Sequence, residues 1–101
     1  MSETDISRAI QDELKRLGFW PVRIQSGKVK VKGGWMQLAE PGTPDICLVG
    51  LGWFEVKTST GERLPSQVAW HSRAAREGVR VATVRSVREA VEVAIRWEAE
   101  R

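Results

Sequence analysis

Apolar residues along the chain follow two different periods, and the changes between them mark the elements. From Ser2 to Gly18, Ile6, Ile10, Leu14 and Leu17 fall three or four residues apart, on one stripe of a helix. Ser2 can cap that helix together with Asp5, and Gly18 ends it. The period then shortens. Phe19 to Ile24 reads as the start of a strand with Pro21 at an edge or bulge, and Ser26-Gly27 as a turn. Lys28-Val29-Lys30-Val31-Lys32 alternates strictly, so the lysines share one face and the valines the other. After Gly33-Gly34 comes a further short strand, Trp35 to Leu38.

The clearest strand pair lies in the middle of the chain. Ile46 to Val49 and Trp53 to Val56 are runs of branched and aromatic residues parted by Gly50-Leu51-Gly52, which predicts a tight β-hairpin. Pairing Val49 with Trp53 across a three-residue loop sets Cys47 opposite Glu55 and Asp45 opposite Lys57. Asp45, Glu55 and Lys57 then gather on one face, and Ile46, Leu48, Phe54 and Val56 on the other. Beyond a polar loop, Pro65 or Ser66 opens a helix that ends near Gly78, and Val79 to Val84 reads as a buried strand. Ser86-Val87-Arg88-Glu89 is a capping box for a last helix, which runs to about Glu98.

Strand 53–57, helix 65–77 and strand 79–84 form a β-α-β unit, which predicts parallel strands and a right-handed crossover. The expected fold is α/β, a mixed sheet flanked by helices, with the first and last helices covering its faces. Val87, Ala90, Val91, Ala94, Ile95 and Trp97 supply the apolar stripe of the last helix.

Size and composition narrow the field. At 101 residues the chain reads as one domain, 1–101, with room for a single modest core. A hydrophobic fraction of 42% and a charged fraction of 29% are those of an ordinary globular protein. No run approaches the roughly 18 apolar residues of a membrane span, and no basic-then-apolar leader precedes the first helix, so a cytoplasmic location without a membrane partner is expected. A single cysteine, Cys47, excludes an internal disulfide and a multi-cysteine zinc site and reads as a small buried strand residue. His71, the sole histidine, cannot build a His-rich metal site and is assigned to structure. A net charge of +3 and a pI near 9.5 favour a polyanionic partner.

The chemistry-bearing residues lie on the predicted hairpin. Asp45 and Glu55 would be diagonal neighbours roughly 7–8 Å apart. At that separation two carboxylates can lean onto one hard divalent cation such as magnesium, which keeps positions open for water and phosphate oxygens. Lys57 beside them can position the attacking water or neutralise charge building on phosphorus. The combination points to phosphodiester hydrolysis.

Each piece alone is ordinary. Glu-x-Lys is common on the solvent face of a strand, Pro-Asp opens many turns, and a lysine row commonly blunts a sheet edge. Glu3 in a first helical turn favours the helix dipole, and a first-turn glutamine such as Gln67 usually faces solvent. Trp70 can stack on a base, yet a tryptophan at that spacing more often packs. The conjunction of the acids, the lysine and the short turn is what points to a site.

Gly42-Thr43-Pro44-Asp45, Phe54-Glu55-Val56-Lys57-Thr58 and Gln67 at the opening of a helix together resemble the PD-(D/E)XK nuclease superfamily, in particular the small VRR-NUC (virus-type replication-repair nuclease) family. The resemblance spans roughly Glu3 to Val93 and implies a restriction-endonuclease-like core. It implies that Asp45 and Glu55 hold Mg²⁺ or Mn²⁺, aided by the backbone carbonyl of Val56 and by Glu3. Glu3 stands three residues before Ile6, as in the family; Glu13 does not match and is a fallback.

Lys57 with Gln67 would position the water, and hydrolysis would leave a 5′-phosphate. Arg23 and Ser26-Gly27 match a family motif preceding the catalytic hairpin and are expected to approach the nucleic-acid backbone. Lys28, Lys30 and Lys32 are candidates for a phosphate rail, and Gly42 is assigned to turn geometry. The spacing from Asp45 to Glu55 is at the short end for the family, so the hairpin turn should be tight.

Larger members carry added targeting domains; stand-alone viral members resemble dimeric resolvases of branched DNA. The expectation is a homodimer, encoded by a bacterium or a phage, that cuts four-way (Holliday) junctions. The alternative is a non-catalytic nucleic-acid-binding module on a nuclease scaffold. A restriction-type endonuclease with base specificity lacks room for a recognition element.

Overall fold

The computed structural model describes residues 1–25 and 27–101. Helix α1 (Glu3–Arg16) begins at the expected capping box: the Ser2 hydroxyl accepts the Asp5 N–H at 3.1 Å and the Asp5 carboxylate accepts the Ser2 N–H. It ends where Gly18, at φ 92°, lets the Phe19 N–H reach back to the Leu14 carbonyl at 2.9 Å. Ile6, Ile10 and Leu14 are buried, but the stripe stops there, since Leu17 is exposed.

Four strands form the main sheet in the order β1-β4-β5-β6: β1 (Pro21–Arg23), β4 (Ile46–Leu48), β5 (Gly52–Val56) and β6 (Val81–Val84). β4 runs antiparallel to both β1 and β5, whereas β5 and β6 are parallel and joined through α2 (Pro65–Arg76). The sheet is therefore mixed, as the β-α-β pattern predicts, and Pro21 opens an edge strand where its missing N–H costs nothing.

The hairpin register differs from the expected one. Ile46 pairs with Phe54, Cys47 with Trp53 and Leu48 with Gly52. The turn is thus Val49-Gly50-Leu51, with Gly50 at φ 83° and the Leu51 N–H donating to the Leu48 carbonyl at 2.9 Å. Gly52 belongs to the strand because the Arg80 backbone and the Trp97 ring press on it; a Cβ there would stand 2.7 Å from both. The correction shifts the pairing by an even number of residues, so every side chain keeps its face. It carries Asp45, one step beyond the Ile46–Phe54 pair, opposite Glu55 instead of Lys57.

Ile46, Leu48, Phe54, Val56 and Val84 form the apolar side of the sheet. They meet α1 and α3 (Val87–Ala99), and the Phe54 and Trp97 rings stack with centroids 5.2 Å apart. Each large apolar side chain buried there contributes about 1.5–3 kcal/mol. The first and last helices therefore share one face, which corrects the expectation that they cover both. α2 lies on the opposite face, where Trp70 meets Trp53. Ile95 is exposed and Val93 takes the expected place in the α3 stripe.

β2 (Gly27–Val31) and β3 (Gly34–Ala39) form a separate two-stranded sheet, an arm inserted between β1 and β4. Lys28 pairs with Gln37 and Lys30 with Trp35, so these share one face of the arm. Lys32 falls in the turn beyond the strand, which corrects the expected row of three. Among the described residues, neither strand packs more than marginally on any other element. No described helix is long and apolar enough to cross a membrane.

Candidate functional site

Asp45 sits where β1, β4 and β5 converge. Its carbonyl accepts the Ile24 N–H at 2.7 Å, which ties it to the end of β1. Its Oδ2 accepts the Val56 N–H, also at 2.7 Å, so the carboxylate is anchored across the hairpin. Glu55 projects beside it from β5 and is almost wholly buried, with 1% of its surface exposed.

Burial pushes the Glu55 pKa up to about 9, helped by a hydrogen bond to Asp45 and by the charges of Asp45 and Glu3, while the Lys57 ammonium pulls it down. Without a cation Glu55 is thus a neutral acid at pH 7, hydrogen-bonded to Asp45. Lys57 follows directly on β5, is itself buried, and its N–H donates to the Val84 carbonyl at 3.0 Å. The loop after it is clamped by Arg85, whose guanidinium donates to the carbonyls of Thr58 at 2.6 Å and Gly61 at 2.7 Å.

A cavity of about 210 Å³ opens next to these groups, lined by Glu3, Ser7, Arg23, Asp45 and Val56 among others. At about 30 Å³ per water it has room for several waters. The α1 N-terminus brings Glu3 and the end of β1 brings Arg23. Among the described residues, no group of three or more His, Cys, Asp or Glu side chains is placed to hold a metal ion. The carboxylates here are two, with Glu3 near them, a set that suits a hard cation retaining waters better than a closed zinc cage. A larger cavity, of about 730 Å³, lies away from the acids beneath α2, against Trp53 and Trp70.

The other expected residues divide. Glu13 is ion-paired with Arg16 near the far end of α1, ten residues and about 15 Å along the axis from Glu3, so the fallback is set aside. Gln67 is not presented freely to the acids: its amide oxygen accepts the Leu64 N–H at 2.7 Å, which caps α2. Trp70 packs edge-on against Trp53 at 5.4 Å. Burial raises the Cys47 thiol pKa, in keeping with a structural role.

Gly42, at φ 89°, serves close approach, since a Cβ would stand 2.1 Å from the Ser66 carbonyl oxygen. Lys28 and Lys30 are exposed on the arm, whose first strand follows Ile24 and Gln25 at the cavity rim. Gly27 pairs with Ala39 at the root of the arm; Ser26 lies outside the described residues.

Sequence reasoning assigned His71 to structure and did not place it beside Glu55. Its Nε2 lies 3.9 Å from Glu55 Oε1, and both atoms are buried without a hydrogen-bond partner. Burial and the nearby Arg63 charge hold its pKa below the usual range, so it is neutral. The available signal was its position one helical turn after Gln67, on the same face of α2.

Comparison of this chain with protein-family models and with curated proteins returns no match.

Proposed function

We propose that the protein is a metal-dependent DNA endonuclease of the PD-(D/E)XK type, built on a restriction-endonuclease-like core. The observation that carries this is the meeting of Asp45, Glu55 and Lys57 on one face of the hairpin, with Asp45 lining a cavity together with Glu3 and Arg23. Two acids forced together in a buried place hold a proton between them unless a cation replaces it. Glu55 Oε1, buried and without a partner, is the oxygen that a bare proton-sharing pair leaves unexplained. Asp45 and Glu55 would hold Mg²⁺ or Mn²⁺, with the Val56 carbonyl and Glu3 as further oxygen donors.

When bound, such a cation would supply Lewis-acid chemistry to a phosphoryl oxygen and a water. The Lys57 ammonium, enclosed beside the carboxyls, orients the nucleophilic water and offsets negative charge building on phosphorus. Gln67 contributes by fixing the start of α2. Arg23 at the cavity rim forks onto a phosphate, and Lys28 and Lys30 on the arm follow the backbone outward, with Gly27 at its root.

One protomer offers little surface for gripping DNA. A homodimer acting on branched DNA such as a four-way junction, in the cytoplasm of the producing or host cell, is the form that the resemblance to stand-alone resolvases favours.

The test is incubation of a labelled four-way junction with the protein and Mn²⁺, with EDTA, and with the Asp45→Ala variant. Cleavage that requires both metal and Asp45, and leaves 5′-phosphates, is expected. Binding of the junction with no metal-dependent cut would refute catalysis and leave a non-catalytic binding module. Sedimentation as a strict monomer at micromolar concentration would refute the dimer.

A further inference from the structure

Two buried polar atoms, Glu55 Oε1 and His71 Nε2, face each other 3.9 Å apart without a hydrogen bond. Their side chains are only 1% and 11% exposed, so solvent has little access to either. Buried polar atoms without partners are rare in folded proteins, because each forfeits its hydration and gains nothing in return. Here the two orphans are neighbours, and their chemistry is complementary.

Arg63 decides where the imidazole proton sits. Its guanidinium lies 3.2 Å from His71 Nδ1. A guanidinium can only donate, so Nδ1 must present its lone pair and the proton must reside on Nε2. An N–H donor is therefore turned toward a carboxyl oxygen across a gap about 1 Å longer than a hydrogen bond. α2 places His71 there, and the loop between β5 and α2 returns Arg63 to it.

We propose that His71 is a positioning residue for Glu55: its Nε2–H engages Oε1 when Glu55 ligates a divalent cation, and so holds the carboxylate in its ligating orientation. Metal-binding histidines are commonly oriented by a carboxylate behind them; here the carboxylate is the ligand and the imidazole stands behind it. An ionised Oε1 accepts a stronger bond than a neutral carboxyl and would draw the pair in to about 2.8 Å. The inference rests on the proposed metal-dependent function, and it gives both orphan atoms a partner in the cation-bound state.

The test has a metal-free arm and a binding arm. Because His71 is the sole histidine, ¹⁵N NMR of the untagged protein reports one imidazole. The metal-free protein should show the Nε2–H tautomer, mixed in Arg63→Leu, where the substituted side chain is exposed. Saturating Mg²⁺ should move the Nε2 proton downfield. By calorimetry, Mn²⁺ affinity should fall about ten- to a hundredfold in His71→Ala and be largely kept in His71→Gln, whose amide can donate from the same place.

An Nδ1–H tautomer in the metal-free protein, or a His71 signal that saturating Mg²⁺ leaves unmoved, overturns the inference. So does a His71→Ala variant that binds Mn²⁺ like wild type. In each of these cases the proposed nuclease function stands, whereas wild type that binds no Mn²⁺ overturns both.

Discussion

Replacing Glu55 by glutamine keeps the volume of the side chain and removes its proton chemistry, which makes it a direct probe of the buried acid. An unfolded glutamate ionises near 4.5, whereas folded Glu55 holds its proton to about 9. Between those values the unfolded state binds fewer protons than the native state, so stability is full below the lower value and declines as pH rises through the window. At 1.36 kcal/mol per unit, the loss from this one group between pH 5 and pH 8 is on the order of 4 kcal/mol.

That is a large part of the roughly 5–15 kcal/mol of a small domain. His71, whose pKa is lowered, acts in the opposite sense and loses stability as pH falls; it is present in both proteins, so its own contribution largely drops out of the difference. Urea unfolding in EDTA should therefore show wild type weakening from pH 5 to pH 8 relative to Glu55→Gln, by about 2 M in midpoint for a slope near 2 kcal/mol per M. Saturating Mg²⁺ at pH 8 should restore wild type and leave the variant unaffected. Parallel pH profiles within about 0.5 kcal/mol would refute the claim that the fold imposes a proton on Glu55.

Gly42→Ala should destabilise by roughly 3 kcal/mol or more, because the added methyl collides with the Ser66 backbone at a positive φ; Gly33→Ala, at φ 91° with nothing within 4 Å, should lose only about 1 kcal/mol. Thermal melts of the pair separate collision from backbone strain. Lys57→Met should keep Mn²⁺ binding and the fold while slowing cleavage by about 10²–10³-fold, as single-turnover rates would show. Lys28→Ala with Lys30→Ala should weaken junction binding and reduce the slope of log affinity against log salt by about 2, as read from binding titrations at several salt concentrations.

Much of this arrangement was legible in the sequence. Ser2 with Asp5 and the Ile6-Ile10-Leu14 stripe announced α1, and period-two alternation assigned Asp45, Glu55 and Lys57 to one face. The face assignment survived a wrong register because the slip was even. The register itself was not legible: Gly50 and Gly52 are equally good turn residues, and only the Arg80 backbone and Trp97, distant in sequence, require Gly52 to lie in the strand.

The placement of α1 and α3 on one face was hidden for a similar reason, since an apolar stripe says that a helix is covered and not by what. Gln67 kept its helix-opening position but turned its amide oxygen to the cap, a competition between local hydrogen bonding and a site that spacing cannot decide. His71 was assigned to structure because a lone histidine carries no pattern; its place beside Glu55, sixteen residues earlier, and beside Arg63 comes only from the fold.

The arm between β1 and β4 leaves and re-enters the domain at neighbouring points, with Gly27 paired to Ala39 at its root. Its length and composition can therefore drift without disturbing the core, so natural variants or designed grafts could exchange one arm for another. Under the proposed nuclease function, preference for a nucleic-acid shape and the bond-breaking machinery would then evolve as separable traits.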